Sequence, residues 1–106
     1  MAAEVLLVFS TFPDAETAAR IARALVTERL VACANIMPPV QSIYCWKGNI
    51  EEATEVLVLF KTKADSYGAF EARFHQLHPY DVPEIIAVPV SAGLHNYLRW
   101  VDESCG

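Results

Sequence analysis

Two residues whose side chains could bind a metal ion or exchange protons, His78 and Glu84, stand six positions apart. His78 precedes Pro79, which ends a helical pattern, and Glu84 lies where a strand is predicted to begin. The helix dipole at that end favours the protonated imidazole. A turn between the two could join imidazole and carboxylate as metal ligands or as an acid–base pair. The alternative is a structural turn, in which the histidine caps carbonyl groups and the carboxylate accepts backbone amides.

Cys33 and Lys61 are the next candidates for chemistry. Cys33 lies in an Ala-Cys-Ala stretch at the start of an extended segment. Thiolate and imidazole suit copper and zinc better than magnesium or calcium, although a lone cysteine can equally be a small buried hydrophobe. Lys61 closes an apolar strand, so its ammonium would emerge beside Glu84 or an anionic ligand. The alternative for Lys61 is a lysine with a buried stem and a solvated charge.

The hydropathy pattern predicts the elements that must position these residues. Asp14 and Asp65 are expected to cap the first two helices, and Pro38-Pro39 to bend the second extended segment. The predicted elements are strand Val5–Phe12, helix Ala15–Leu30, extended segment Val31–Trp46, strand Thr54–Lys61, a helix from Asp65 to Pro79, strand Pro83–Val90 and helix Asn96–Glu103. This order predicts one α+β domain over residues 1–106, a ferredoxin-like βαββαβ sandwich with an additional C-terminal helix.

The predicted strands are apolar on both faces, as in Val5–Phe9 and Val56–Phe60. Two helices can cover only one face of the sheet, so a second copy of the chain is expected to cover the other. The alternative is that the short terminal helix covers that face alone. Aromatic side chains with a polar tip are favoured at interfaces. Four are expected to lie between subunits, with the wall of a binding pocket as the alternative role: Tyr44, Trp46, Tyr97 and Trp100.

The composition of the chain argues against two classes of protein, those that bind nucleic acid and those that span a membrane with a helix. The chain has 106 residues, 54% of them apolar, and a formal net charge of −5. That charge argues against a protein that binds nucleic acid by neutralising phosphates, and no apolar run is long enough for a membrane helix. Three widely spaced cysteines without a secretory leader favour reduced thiols and a cytoplasmic protein. The acidic group Glu51, Glu52 and Glu55 is expected to be a solvated patch, and weak attraction of cations is the alternative.

Three stretches carry a resemblance to a known family: Leu30-Val-Ala-Cys-Ala-Asn-Ile36, Ser42-Ile-Tyr-Cys-Trp-Lys-Gly48 and His78-Pro-Tyr-Asp-Val-Pro-Glu-Ile-Ile86. Together they make the chain similar to the divalent-cation-tolerance family CutA, from about Val5 to Glu103. The resemblance implies a homotrimer without established catalytic activity that is linked to tolerance of copper and other divalent metals. It also implies architectural similarity to PII signalling proteins.

The resemblance, taken with the residues, sets the functional expectation. His78, Glu84 and Cys33 are expected to bind a divalent metal ion, with Cu(II) as the suspected ion and with Lys61 and Tyr80 lining the same region. Ser10 and Arg73 stand where metal-binding relatives carry cysteines, so a site of several thiolates is not expected. The alternative is a PII-like sensor or scaffold trimer that binds an anionic metabolite in the cleft between subunits.

Overall fold

The computed structural model describes residues 4–106 as one antiparallel sheet and three helices. The strands are β1 (Val5–Phe12), β2 (Cys33–Trp46), β3 (Asn49–Lys63) and β4 (Ile86–Pro89), and the helices are α1 (Ala15–Thr27), α2 (Ala64–Leu77) and α3 (His95–Ser104). The strand order is β2-β3-β1-β4. Every neighbouring pair is antiparallel. The predicted α+β, ferredoxin-like fold with an additional C-terminal helix is confirmed.

Helices α1 and α2 cover one face of the sheet, which we call the helix face. Alternate residues of the central strands point toward these helices, because side chains of a strand alternate between the two faces. The main residues of this core are Val8, Phe12, Val58 and Phe60 from the sheet and Ile21, Leu25, Phe70 and Phe74 from the helices. Asp14 caps α1 as predicted, since its carboxylate accepts the Thr17 amide at 2.7 Å. The predicted Asp65 cap is wrong: α2 begins at Ala64, Lys63 occupies the cap position, and Asp65 lies in the first turn of the helix.

The opposite face of the sheet, which we call the open face, is covered at one end only. There Val101 of α3 packs with Val5, Ala32 and Cys105. On β4, Ile86 and Val88 keep 55% and 44% of their surface exposed. Helix α3 therefore does not cover this face alone, and apolar surface remains available on it. Among residues 4–106, no helix is both long and apolar enough to cross a membrane.

Strands β2 and β3 continue past the end of β1 as a two-stranded arm, which we define as residues 39–55. Phe12, the last residue of β1, pairs with Val56, so the preceding part of β3 pairs with β2 alone. Lys47 and Gly48 both have positive φ angles, as a tight hairpin turn requires. The predicted start of this strand at Thr54 is wrong, because β3 begins directly after the turn. A register shift at the predicted proline bend lets β2 follow β3 along the whole arm.

The helix face contains two buried hydroxyl groups, one with a hydrogen-bond partner and one without a partner within residues 4–106. Thr62 donates to the Leu30 carbonyl at 2.7 Å, whereas the Ser10 hydroxyl has no hydrogen-bond partner within residues 4–106. We expect Ser10→Ala to raise the free energy of unfolding by about 1 kcal/mol, because it removes a buried and unpaired polar group. Thr62→Val should lower it by about 1 kcal/mol, because it leaves a carbonyl unpaired. Urea unfolding of both variants measures the two values, and equal destabilisation would contradict the assignment.

Candidate functional site

A groove of about 700 Å³ lies between the arm and the loop that joins α2 to β4. The arm supplies one wall from the open-face side of β2 and β3, and the loop supplies the other. We call this space the acidic groove. It is lined by Thr11, Ser42, Ile43, Tyr44, Trp46, Glu51, Ala53, Glu55, Tyr80, Asp81, Val82 and Glu84. Four of these residues are acidic, and none is Lys, Arg or His.

Glu84 and Tyr80, both predicted from the sequence, lie together in this groove. The Tyr80 hydroxyl donates to Oε2 of Glu55 at 2.8 Å, which joins the loop to the base of the arm. Burial raises the pKa of the Tyr80 hydroxyl, and the Glu55 carboxylate raises it further. The Tyr80 hydroxyl therefore remains protonated near neutral pH and donates a hydrogen bond to one oxygen of Glu55. The Glu84 carboxylate is exposed, so it is available to a ligand.

His78 lies behind the loop, buried against aromatic rings. Its imidazole stacks on Phe12, with ring centres 4.7 Å apart, and also contacts Phe74 and Tyr80. Nε2 lies 2.8 Å from the Thr11 carbonyl, and Nδ1 accepts the Tyr80 amide at 3.1 Å. A carbonyl can only accept, so Nε2 carries the proton and the ring is neutral. Both ring nitrogens are thus engaged in the structural turn that the sequence left as the alternative.

The sequence argument that the helix dipole favours a protonated His78 is wrong for this fold. Burial lowers the pKa of the imidazole below its ordinary value of 6.5, and this effect is larger than the opposing effects of the Thr11 carbonyl and Glu55. The ring also leaves its own helix end and contacts β1. His78 is therefore an uncharged link between the loop and the sheet, and it fixes where the chain enters the groove.

Cys33 and Lys61 lie elsewhere, near the other end of β3. They pair directly across β2 and β3, so both face the open side of the sheet. The Cys33 thiol is 3.9 Å from the Tyr97 hydroxyl, and the Lys61 ammonium donates to the side chain of Asn35. We call these four residues the sheet-end cluster. A strand rises about 3.3 Å per residue, so six residues of β3 place Lys61 about 20 Å from Glu55.

The structure thus divides the predicted site residues between two places. Glu84 and Tyr80 line the acidic groove, Cys33 and Lys61 belong to the sheet-end cluster, and His78 is buried. Among residues 4–106, no three side chains of the His, Cys, Asp and Glu types come together in a way that could hold a metal ion. One chain therefore does not assemble His78, Glu84 and Cys33 around a single ion.

The four aromatic residues predicted at subunit contacts are all exposed in the single chain. Tyr44 and Trp46 line the acidic groove from the arm. Tyr97 and Trp100 lie on α3 with their ring centres 5.6 Å apart. Their exposure is compatible with contacts to another copy, and the interface role remains a prediction.

Sequence reasoning missed three groove residues, Glu51, Glu55 and Asp81. Glu51 and Glu55 were expected to belong to a solvated patch, with weak attraction of cations as the alternative. The alternation Glu51-Ala53-Glu55 was the available signal, since residues two apart in a strand share a face. No sequence pattern predicted the position of Asp81, because that position depends on a loop that is fixed by the hydrogen bonds of His78.

Comparison with known proteins settles the family. The model of the family described as CutA1 divalent ion tolerance protein matches residues 6–104. The chain belongs to this family. The divalent-cation tolerance protein CutA of Thermus thermophilus is 47% identical over 103 residues, which are 97% of this chain and 98% of that protein. The resemblance inferred from the sequence is therefore confirmed.

Two further comparisons agree with this family membership. Human protein CutA is 47% identical over 93 residues, and the chain spans only 52% of its length. A solved structure of the divalent cation tolerance protein from Thermus thermophilus superposes with a TM-score of 0.94 at 45% identity, covering 96% of this chain and 99% of that one. The α+β fold is thus that of solved CutA1 structures.

Because the folded chain keeps the His78 ring neutral, the free energy of unfolding should depend on pH. Above pH 6.5 the ring is neutral in the folded and unfolded chains, so its contribution is fully present. Below 6.5 the unfolded chain binds a proton that the folded chain excludes, because the folded pKa is lower. The free energy of unfolding should therefore fall as the pH drops below 6.5.

Urea unfolding between pH 7.5 and 5 tests this, with the exposed His75 as the matched control. His78→Gln should flatten the fall in unfolding free energy, since glutamine does not titrate. His75→Gln should retain the fall. A pH dependence that disappears in His75→Gln and persists in His78→Gln would show that the wrong histidine has been identified.

Proposed function

We propose that the chain binds divalent metal ions, copper foremost, as a non-enzymatic homotrimer that contributes to metal tolerance. The observation that carries the proposal is the acidic groove, whose four carboxylates face no basic residue in its lining. Membership of the divalent ion tolerance family supports the same ligand class. A cytoplasmic location, expected from the reduced thiols, is part of the proposal.

The donor chemistry of the groove fits a divalent cation. Glu51, Asp81 and Glu84 are exposed and carry carboxylate oxygens, which bind many divalent ions. Glu55 is held by Tyr80, so Glu84 is the foremost ligand near the loop. Copper prefers imidazole and thiolate donors, and these lie outside the groove in His75, His78 and Cys33. A copper ligand set would therefore combine Glu84 with a thiol or imidazole from another copy.

The proposed trimer gives a physical reason why two copies of the chain would contribute ligands to one metal ion. The open face of each chain leaves apolar residues of β4 exposed, and the Cys33 end of the same face lies about 20 Å from the groove. Packing of copies through these faces would bury the apolar surface and bring the groove of one chain toward the sheet-end cluster of the next. In this arrangement the predicted ligands Glu84 and Cys33 need not come from one chain, whereas both ring nitrogens of His78 are already hydrogen-bonded within its own chain.

The second candidate function, binding of an anionic metabolite between subunits, has one supporting observation. Within residues 4–106, Lys61 forms no ion pair, and its ammonium is bonded to the neutral Asn35 side chain. Its positive charge is thus available to an anion. The acidic groove would repel the same ligand, so this candidate is limited to the sheet-end cluster.

Calorimetric titration of tag-free protein with copper and zinc chlorides tests the metal proposal. Glu84→Gln should weaken copper binding about tenfold or more, because it removes a ligating charge. Glu71→Gln, an exposed carboxylate on α2 outside the groove, should leave the affinity unchanged. Cys33→Ser should weaken binding, with Cys45→Ser as its control. Wild-type affinity no higher than that of the denatured chain would disprove metal binding.

The assembly has its own test in light scattering coupled to gel filtration. The wild-type mass should be three times the 11.8 kDa of the chain. Val88→Glu places an unpaired charge on the open face, so it should yield monomers, because burying that charge costs several kcal/mol. Ala72→Glu on the exposed side of α2 should remain trimeric. A monomeric or dimeric wild type would refute the trimer.

A further inference from the structure

The arm leaves the rest of the sheet with few contacts that could fix its direction. Within residues 4–106, neither hydrophobic core cluster contains a residue of the arm, and most of the arm's side chains are exposed. A two-stranded hairpin without further packing is at best marginally stable in water. The orientation of the arm relative to the sheet therefore depends on the contacts at its base.

The strand pairing is irregular at the base of the arm. The register between β2 and β3 shifts between Ile36 and Pro39. Pro38 and Pro39 have no amide hydrogen, so neither can donate to the ladder at this point. A register shift of the β-bulge type bends the strand that contains it. The arm thus has a point at its base about which its direction can change.

One side-chain hydrogen bond joins the loop after α2 to the base of the arm. The Tyr80 hydroxyl donates to Oε2 of Glu55 at 2.8 Å, one residue before β3 begins to pair with β1 at Val56. The hydrogen bond between Gln41 and Glu52 lies within the arm. No other side-chain hydrogen bond and no ion pair connects the arm to the remainder of residues 4–106.

The donor of this hydrogen bond is fastened to the sheet. The Tyr80 amide donates to Nδ1 of His78, and Nε2 of the same ring bonds to the Thr11 carbonyl of β1. The His78 ring stacks on Phe12, and its centre lies 4.7 Å from that of the Tyr80 ring. The bond from Tyr80 to Glu55 therefore connects the arm to β1 through a loop that is itself held in place.

We propose that the hydrogen bond from Tyr80 to Glu55 is a lock that fixes the direction of the arm about the irregularity at Pro38-Pro39. The arm carries Tyr44 and Trp46, which are expected at subunit contacts, so the locked arm presents them to another copy in a prearranged position. Prearrangement lowers the conformational freedom that is lost on association. The effect on assembly rests on the proposed homotrimer, whereas the lock itself does not.

The distance between two spin labels tests the lock. The exposed Cys45 near the turn takes one label and Ala72→Cys on α2 takes the other, in a chain that also carries Cys33→Ser and whose Cys105 is buried. Labelled chain is assembled with an excess of unlabelled chain, so that distances within one chain are measured. The locked arm should give one narrow distance distribution. Tyr80→Phe should lose this narrow distribution, because it keeps the ring and removes only the donor.

Further variants separate the lock from a general change in the fold. Tyr67→Phe removes a hydroxyl from a ring that packs against the helix-face core, so the narrow distribution should remain. Glu55→Gln should also keep it, since an amide oxygen can accept the same hydrogen bond, whereas Glu55→Ala should lose it. A narrow distribution in both Tyr80→Phe and Glu55→Ala, or its loss in Tyr67→Phe, would overturn the lock.

Sedimentation of the unlabelled chain over a range of concentrations tests the effect on assembly. The dissociation constant should rise about tenfold in Tyr80→Phe, because a hydrogen bond to a charged group is lost, and should not change in Tyr67→Phe. An unchanged constant in Tyr80→Phe would refute the effect on assembly. A monomeric wild type would refute the proposed trimer, and the distance measurement would still decide whether the lock exists.

Discussion

The alternation of side chains along β3 is the constraint on which the rest of the structure depends. From Val56 to Thr62 its even-numbered residues enter the core between sheet and helices, so its odd-numbered residues must face the open side. That open side carries Lys61 at one end and Glu55 and Glu51 at the other. Because β3 pairs with both β1 and β2, a shift of one residue would move the core and both candidate sites to the wrong faces.

His78 connects this sheet to the loop that completes the groove. Its ring is buried among aromatic residues and is bonded to Thr11 on β1 and to the Tyr80 amide. Tyr80 in turn holds Glu55 at the base of the arm. These links place Glu84 and Asp81 opposite the arm. A residue expected to bind metal directly thus supports the groove from behind, and its neutrality keeps an additional charge out of the core.

The sequence predicted those features that local patterns determine. The apolar run from Val5, the Asp14 cap and the Lys47-Gly48 turn each depend on neighbouring residues, and the structure contains all three. The start of β3 was misplaced because Glu51 and Glu52 are polar residues on a part of the strand that has no core beside it. The sequence did not predict that Cys33 and Glu84 lie far apart, because their positions depend on how the strands pair in the sheet. The burial of His78 likewise follows from tertiary packing.

On the proposed function, the acidic groove lies at a boundary between copies of the chain and holds divalent cations. Anomalous diffraction from a crystal soaked in copper chloride tests it most directly. We expect a threefold assembly with a copper peak beside Glu84 and a thiol or imidazole of another copy within coordination distance. Copper found only at surface histidines remote from the groove, or a lattice without threefold contacts through the open face, would contradict it.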